Sequence, residues 1–394
     1  MSSRKKLLWG VCGVGCGHAY RQLPLLNHFA VRHRIVIFAY GNSLRIYSQA
    51  FKNRKNVTVL EVAPPYWMDG EYGIGFRETA GLAKNMEQDS LTINCEALAR
   101  AGELIGRPDL VISDYEPTSA QYAYAYDAPL VTLDQQSKYL CDGFPEKLDG
   151  TDRSSEVMRL NMFFPKAEAR LACSFFRPKG KNNRSDIRLF PPILRNEILD
   201  LKKLKGSHKD TITVYLSAFL DYPGALATLD EVARRNSRFR FKVFAEGISK
   251  NANKTQKNLK LHEPGGTEFL EALNHSCAVI CTSGHSMISE ALYLGLPIFA
   301  VPRHQYEALL CAKIIADNGF GATSKKLEAD ELQDFLDKLP RFRQNIDLDE
   351  RILLRGDGKD ELLGFLEESL KTQQAPRGLC RKEAVRRAET SCVA

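Results

Sequence analysis

A glycine-rich loop that ends in a histidine offers the first candidate for chemistry. The segment Gly10-Val-Cys-Gly13-Val-Gly15-Cys-Gly17-His18 follows a predicted strand and precedes a predicted helix. The glycines let the backbone turn tightly and approach a ligand closely, and the amino end of the following helix favours an anion. An imidazole with its ordinary pKa titrates near neutrality, so His18 could accept a proton during a reaction. The same histidine could instead cap the helix or hydrogen-bond the loop.

Two acids follow another predicted strand of the same half of the chain. Asp114 comes directly after Leu110–Ser113, and Glu116 lies two residues further on. A carboxylate at this strand end could hydrogen-bond His18, fix its tautomer and stabilise the imidazolium, so both acids are catalytic candidates. The alternative is that they cap the helix predicted from Thr118.

A second polar loop lies far along the chain. The segment Thr282-Ser283-Gly284-His285-Ser286 follows a predicted strand and opens a helix. The first amides of a helix have no intrahelical partners, and together with the helix dipole they form an anion site that suits a diphosphate. Glu290, about one turn further in, could accept hydrogen bonds from the two hydroxyls of a ribose. The alternative is a capped helix with a surface glutamate.

Other patterns of reactive residues are incomplete or missing. In Gly13-x-Gly15-x-x-His18 a histidine replaces the third glycine of a dinucleotide fingerprint, and the acid expected after the second strand is missing, so nicotinamide binding is disfavoured. The sequence contains no His-x3-His and no His-Glu-x-x-His, and its ten cysteines include no Cys-x2-Cys pair. We therefore expect neither a resident cofactor nor a metal, and a reduced, cytoplasmic chain.

The elements that must position these loops form a regular pattern. Short β-branched runs alternate with helical segments, which predicts parallel strands with helices on both faces. The pattern restarts near residue 210, so we predict an α/β protein of two Rossmann-like, doubly wound domains, residues 1–185 and 209–372, joined by a linker at 186–208. The basic residues 373–394 are predicted to be a disordered tail. Because ligands bind at the carboxyl ends of such strands, the two candidate loops should face each other across a central cleft.

The composition excludes several classes of protein. The 394 residues are 44% apolar and 26% charged, as in ordinary globular proteins. No apolar run reaches the roughly 18 residues of a membrane span, and the glycines after the first apolar run argue against a secretory signal. The net charge of +7 is mild, and basic residues do not alternate with aromatic ones as in single-strand binders, so no nucleic-acid partner is expected.

One stretch of the second half resembles the donor-binding signature of two-domain (GT-B fold) glycosyltransferases. It is especially similar to the bacterial family 28 and family 1-like enzymes that add N-acetylglucosamine to the peptidoglycan lipid precursor, through Ser283-Gly284-x4-Ser289-Glu290, Gly295-x-Pro297 and Val301-Pro302. The glycine loop with His18 resembles the amino-terminal loop and basic histidine of that family. The segment Pro108–Asp114 resembles the one that supplies the acidic partner of the histidine.

The resemblance implies roles for the matching positions. Donor binding is assigned to Gly15, Gly17, Ser217, Phe269, Ser283, Gly284, His285, Ser286, Glu290, Gln305 and Glu307. Ser217 would touch the donor phosphate, and Phe269 with the turn at 263–266 would hold the base. The order Gln305-Tyr306-Glu307 departs from the family, which usually has an acid or glutamine followed directly by glutamine, so the sugar is not specified.

We therefore predict an inverting glycosyltransferase that moves a hexose or N-acetylhexosamine from a UDP-sugar to an acceptor hydroxyl, with His18 as general base. A non-hydrolysing UDP-sugar 2-epimerase and a non-catalytic nucleotide-sugar-binding protein are the alternatives. The aromatic residues Tyr66, Trp67, Tyr72 and Phe76 have basic neighbours. They could dock on an anionic membrane and reach a lipid-linked or cell-envelope acceptor at its inner face, or they could simply pack a long loop.

Overall fold

Strands and helices alternate along the chain, as the sequence predicts. The computed structural model describes residues 4–70, 73–86, 89–180, 184–203, 210–216, 222–245 and 256–372. The strands in chain order are β1 (Lys6–Val11), β2 (Arg34–Ala39), β3 (Val57–Glu61), β4 (Asp69–Gly70), β5 (Gly73–Ile74), β6 (Leu110–Asp114), β7 (Leu130–Asp134), β8 (Lys147–Leu148), β9 (Thr151–Asp152), β10 (Ala169–Cys173), β11 (Ile187–Phe190), β12 (Thr211–Tyr215), β13 (Arg240–Phe244), β14 (Leu259–His262), β15 (Ser276–Cys281), β16 (Ile298–Ala300) and β17 (Gly321–Thr323).

The helices cover both faces of the sheets and connect successive strands. In chain order they are α1 (Gly17–Phe29), α2 (Gly41–Ala50), α3 (Phe76–Met86), α4 (Ser90–Ile105), α5 (Pro117–Ala125), α6 (Arg153–Phe163), α7 (Asn196–Lys203), α8 (Tyr222–Arg235), α9 (Gly266–Asn274), α10 (His285–Tyr293), α11 (Tyr306–Asp317), α12 (Ala329–Asp337), α13 (Leu339–Leu348) and α14 (Lys359–Thr372). A 3-10 turn spans Ser137–Leu140. Within the described ranges, no helix is both long and apolar enough to cross a bilayer.

The first sheet has seven parallel strands in the order β11-β10-β7-β6-β1-β2-β3. The central strands β1, β6 and β7 are buried almost throughout, which explains their continuous apolar runs. Chain order reverses between β1 and β6, where Val11 pairs with Asp114. A ligand site is expected outside the carboxyl ends at such a switch point.

The second sheet has six parallel strands in the order β14-β13-β12-β15-β16-β17. Its chain order reverses between β12 and β15, where Tyr215 pairs with Cys281. The two sheets confirm the predicted α/β class with two doubly wound, Rossmann-like halves. Each half therefore has its own switch point, and each candidate loop of the sequence analysis begins at one of them.

Two segments lie differently from the predicted domain boundaries. Ile187–Phe190, assigned to the linker from its basic surroundings, pairs with β10 as the edge strand of the first sheet, where Ile187 and Phe190 are buried. The last helix, α14, was assigned to the second half. Its apolar face, including Leu362, Phe365 and Leu366, is buried in the core of the first sheet. The predicted tail, residues 373–394, lies outside the described residues.

The chain returns to the first half beside an earlier segment. Phe176 forms an antiparallel bridge with Leu353. The amide of Arg177 donates to the carbonyl of Ile352 at 2.7 Å, and the amide of Leu354 donates to a carbonyl of the same segment at 2.8 Å. These backbone bonds tie the returning chain to the end of the first sheet before α14 begins.

Candidate active site

A cavity of about 660 Å³ is lined by loops from the carboxyl ends of both sheets. The first half contributes residues 14–18 after β1 and Gln135 and Gln136 after β7. The second half contributes residues 281–287 after β15 and the turn at 263–266. The two loops that the sequence analysis expected to face each other therefore line one cavity.

His18 and Asp114 are hydrogen-bonded. His18 is the second residue of α1, and its Nδ1 lies 2.9 Å from Oδ1 of Asp114 at the end of β6. Asp114 is fully buried. Burial alone would raise the pKa of its carboxyl, but the positive charges of Arg21 and His18 outweigh that effect and lower the pKa. A charged carboxylate therefore lies beside Nδ1 of His18 and can orient the ring, as an aspartate does for the histidine of a catalytic triad.

Arg21 and Gln22, which sequence reasoning missed, complete the surroundings of Asp114. Arg21 Nε donates to Oδ2 at 2.9 Å, its Nη2 contacts Oδ1, and Gln22 Nε2 donates to Oδ2 at 3.0 Å. Arg21 Nη2 also lies 2.7 Å from Nδ1 of His18. The i,i+3 spacing of His18 and Arg21 on one helix was the available signal, since such residues share a face.

The thiol of Cys12 contacts the charge cluster that His18, Arg21 and Asp114 form. Cys12 follows β1, is buried, hydrogen-bonds His18 and accepts a hydrogen bond from the Tyr40 hydroxyl at 3.1 Å. Burial raises the pKa of the thiol, but His18 and Tyr40 lower it overall. For His18, burial and Arg21 lower the pKa, whereas Cys12 and Asp114 raise it, and the pKa of the imidazole rises to about 10. The ring therefore carries a proton at neutral pH.

Glu116 caps a helix, which is the alternative that the sequence analysis left open. Its carboxylate accepts hydrogen bonds from the amides of Thr118 and Ser119, each at 2.8 Å, at the start of α5. Burial raises the pKa of Glu116, and the amide hydrogen bonds oppose that rise. Both of its oxygens serve the helix, and Asp114 is the acid that contacts His18.

Gly15 and Gly17 shape the loop between the two halves. Gly15 has φ +65°, a backbone conformation that favours glycine. At Gly17 a Cβ would lie 2.7 Å from Oγ of Ser286, which is in the first turn of α10. The amino ends of α1 and α10 therefore approach each other directly, and a larger residue at position 17 would require the Ser286 side chain to move.

The loop before α10 holds polar atoms without partners. Ser283 is buried with φ +60°, a strained conformation for a residue other than glycine. Its Oγ has no hydrogen-bond partner among the described residues. Gly284 is the N-cap residue of α10 and provides no side-chain cap. The hydroxyl of Ser283 and the first amides of α10 are thus available to an anionic ligand.

His285 and Ser286 begin α10 and also line the cavity. Burial lowers the pKa of His285 well below its ordinary value, so the ring is neutral. Its Nδ1 lies 3.3 Å from Oγ of Ser289, while its buried Nε2 has no partner within the described part of the chain. Ser286 Oγ accepts a 3.4 Å contact from Gln135 Nε2 across the cavity. A neutral imidazole can still donate one hydrogen bond.

Glu290 forms an ion pair with Arg195, a residue that sequence reasoning missed. Arg195 Nε and Nη2 donate to the two carboxylate oxygens of Glu290, each at 2.8 Å. Arg195 lies just before α7, in the segment that the sequence analysis treated as a linker. Local sequence gave no sign that this side chain reaches the cavity, because its position depends on how the two halves pack.

Phe269 is the residue to which the resemblance assigns contact with the base. It is buried in α9, lines the cavity, and packs against Tyr215 and Phe244 with ring centroids 5.7 and 5.1 Å away. Ser217, the predicted phosphate contact, lies outside the described residues. Phe269 and Tyr215 therefore form an apolar surface of the cavity beside the ion pair of Glu290.

Gln305 and Glu307 lie at the start of α11 and line the cavity. Oε2 of Glu307 accepts a hydrogen bond from Gln136 Nε2 at 3.0 Å, and its buried Oε1 has no partner in the ranges described. Gln136 and Gln135, both from the first half, were missed because they are neutral residues that follow β7 outside any recognised motif. They extend the polar lining from α11 to the loop after β7.

The family of the chain is established by its sequence. The profile of the family described as "Glycosyl transferase family 1" matches residues 5–340. The chain belongs to this family. It is a glycosyltransferase, and the predicted GT-B resemblance is confirmed. The narrower likeness to the peptidoglycan-precursor enzymes stays a prediction. No curated protein matches the sequence.

Solved structures of other glycosyltransferases share the fold of this one. A UDP-glucosyltransferase from Polygonum tinctorium has a TM-score of 0.65 at 13% identity, over 95% of this chain and 100% of that chain. A UDP-glucose:anthocyanidin 3-O-glucosyltransferase in complex with UDP gives 0.62 at 14%, over 94% and 100%. The glycosyltransferase VinC in complex with dTDP gives 0.56 at 15%, over 93% and 100%. At these identities the likeness establishes the fold.

Proposed function

We propose that this glycosyltransferase moves a hexose or N-acetylhexosamine from a UDP-sugar to an acceptor hydroxyl with inversion at the anomeric carbon. His18 is the general base and Asp114 orients it. The observation that carries the proposal is that His18 and the amino end of α10 line the same cavity. A base and an anion site in one cavity suit a reaction in which the acceptor attacks one side of a sugar and the diphosphate leaves from the other side.

The reaction needs one bond to form and one to break. The acceptor oxygen bonds to the anomeric carbon as the bond from that carbon to the diphosphate oxygen breaks, and the hydroxyl proton passes to His18. The leaving diphosphate gains negative charge, which the amides of α10 and the hydroxyls of Ser283 and Ser286 would stabilise. We propose these donors in place of an obligatory metal or cofactor.

The donor is proposed to be a UDP-sugar. Glu290 would accept hydrogen bonds from the ribose hydroxyls, and Phe269 with the turn at 263–266 would hold the base. Among enzymes of the same fold, one is described in complex with UDP and another with dTDP. Glu307, with one buried oxygen free of partners in the described structure, would accept a hydrogen bond from a sugar hydroxyl.

A cluster of aromatic residues after β3 is the basis for the proposed class of acceptor. Tyr66 and Phe76 are 43% and 56% exposed, whereas Trp67 packs against Phe163 and Phe76. Tyr72 lies outside the described residues. We propose that the exposed members contact the inner face of an anionic membrane and bring a lipid-linked acceptor within reach. Sedimentation with anionic liposomes at low salt tests this part, and no binding would contradict it.

Donor class can be tested by stabilisation and turnover. UDP-glucose, UDP-galactose, UDP-N-acetylglucosamine and dTDP-glucose are compared for their effect on thermal unfolding, because a ligand that binds the folded state raises the unfolding temperature. We expect the UDP compounds to stabilise most and to release UDP only with an acceptor. A sugar-nucleotide epimer formed without acceptor would support the 2-epimerase instead, and no stabilisation by any UDP compound would overturn the proposal.

A further inference from the structure

The ion pair between Arg195 and Glu290 is bidentate and largely buried. The guanidinium binds both carboxylate oxygens through two nitrogens at 2.8 Å. The side chains are only 15% and 12% exposed. Such bidentate pairs hold a carboxylate in one orientation as well as neutralising its charge, whereas most exposed ion pairs contribute little.

Aromatic rings on two elements hold the arginine in this position. The guanidinium carbon of Arg195 lies 5.2 Å from the ring centre of Tyr20 in α1 and 5.8 Å from that of Phe269 in α9. Both distances are within the range of a cation–π interaction. Tyr20 belongs to the first half, and Phe269 and Glu290 belong to the second. Arg195 therefore reaches Glu290 from between the halves, beside the wall proposed to hold the base.

The pair leaves acceptor capacity on the carboxylate. An ionised carboxylate has about four lone-pair sites, and Arg195 uses one on each oxygen. One further hydrogen bond can be accepted by each oxygen, which matches the two adjacent hydroxyls of a ribose. Glu290 and Arg195 both line the cavity, so a sugar bound there could reach the remaining sites.

We infer that Arg195 is a positioning residue that holds the Glu290 carboxylate for the 2′- and 3′-hydroxyls of the donor ribose, and that this pair makes the enzyme prefer ribonucleotide over 2′-deoxyribonucleotide donors. The inference rests on the proposed UDP-sugar function. A 2′-deoxy donor leaves one oxygen of Glu290 without its hydrogen bond, and an unpaired, partly buried charged group is costly. Without Arg195 the carboxylate can rotate, and the advantage of the 2′-hydroxyl is lost.

The test compares UDP with 2′-deoxy-UDP by titration calorimetry. For the wild-type enzyme we expect UDP to bind at least about tenfold more tightly, as for a hydrogen bond to a charged group. In Arg195→Gln we expect UDP to bind about tenfold more weakly while 2′-deoxy-UDP changes less than about twofold. Arg195→Lys keeps the positive charge but cannot bind both carboxylate oxygens through two nitrogens. It should therefore restore part of the preference for UDP over 2′-deoxy-UDP. Arg188→Gln is the matched control, because Arg188 stacks on Phe365 in another part of the structure.

The outcomes separate the inference from the function on which it rests. Equal loss of affinity for both nucleotides in Arg195→Gln would mean a general structural role, and an unchanged preference would mean no role, so either result overturns the inference. A wild-type enzyme that binds neither nucleotide would overturn the proposed function itself. If thermal unfolding shows that Arg195→Gln is not folded, Arg195→Lys decides: an intermediate preference supports the inference, and the full wild-type preference overturns it.

Discussion

Nδ1 of His18 lies 2.9 Å from Oδ1 of Asp114, although the two residues are 96 positions apart in the chain. Arg21 contacts both of them, and Cys12 hydrogen-bonds the imidazole. Two groups that can carry negative charge and one permanent cation therefore determine how firmly His18 holds its proton. Each of them changes the pKa of the ring in a known direction, so variants can test its proposed role as base.

The proposed base predicts an unusual pH dependence of transfer. A general base must be unprotonated, and the folded-state pKa of His18 is raised to about 10. Below that pH only a small fraction of the enzyme carries neutral imidazole. We expect kcat/KM for transfer to rise with pH from neutrality towards about pH 10, measured at temperatures where the fold is intact. A plateau that already begins at pH 7 would contradict this expectation.

Replacing His18 by alanine should affect transfer far more than binding. General-base catalysis typically contributes 10²–10⁴-fold, so His18→Ala should lose about that factor in kcat. The affinity for UDP should change less than about twofold, because the proposed diphosphate site is on the opposite wall. His28→Ala is a suitable control: His28 is on the same helix, but its ring pairs with Glu367 at 2.9 Å. Equal activity of His18→Ala and wild type would remove His18 from the mechanism.

Cys12→Ala should make the base easier to deprotonate. The side chain of Cys12 hydrogen-bonds the imidazole and raises the pKa of the ring. Without it the pKa of His18 falls, so the rising limb of the pH profile should move to lower pH. Activity at pH 7 should then increase relative to that at pH 9. The exposed Cys95 provides the matched control Cys95→Ala, whose profile should equal that of the wild type.

Arg21→Gln should shift the same limb in the opposite direction. The guanidinium lies 2.7 Å from Nδ1 of His18 and lowers the pKa of the ring. Its removal raises the pKa of His18, so the rate of transfer at pH 7 to 8 should be lower than that of the wild type. The affinity for UDP should equal that of the wild type. Arg45→Gln is the control. Arg45 also lines the cavity, but its guanidinium contacts Asn42 and not His18, so the pH profile of this variant should equal that of the wild type. A shift of the limb to lower pH in Arg21→Gln would refute this account of the charge cluster.

Glu116→Ala should lower stability and leave the chemistry intact. The substitution removes the two amide hydrogen bonds that cap α5, and such losses cost about 0.5–2 kcal/mol of the free energy of unfolding. Glu116→Gln keeps one acceptor oxygen and should cost less. Urea denaturation measures the loss of stability. Below the midpoint, transfer by Glu116→Ala should equal that of the wild type, and a large fall in kcat would return Glu116 to the catalytic candidates.

The placement of His18, Asp114 and the α10 loop could be predicted because parallel strands bring their carboxyl ends to one edge. The choice between Asp114 and Glu116 could not. Tyr115 adopts φ +56° between them, and this turn directs Asp114 to His18 and Glu116 to α5. Nothing in the local sequence specifies such a backbone conformation at a tyrosine.

The contributions of Arg21, Gln136 and Arg195 were hidden for a related reason. Each reaches a partner far away in the sequence, at separations of 93, 171 and 95 residues. Their side chains are long and polar, and no motif of the sequence includes these three positions. Strand ends are predictable from period and composition, whereas the reach of a flexible side chain depends on tertiary packing.

The path of α14 matters for the construction of hybrid enzymes. Its apolar residues Leu362, Phe365, Leu366 and Leu370 are buried in the core of the first sheet. A chimera that takes its second half from a relative, joined near residue 210, must therefore return to the native sequence before Lys359. A fusion that carries the foreign sequence through to the end would place a mismatched helix against the core of the first half and destabilise it.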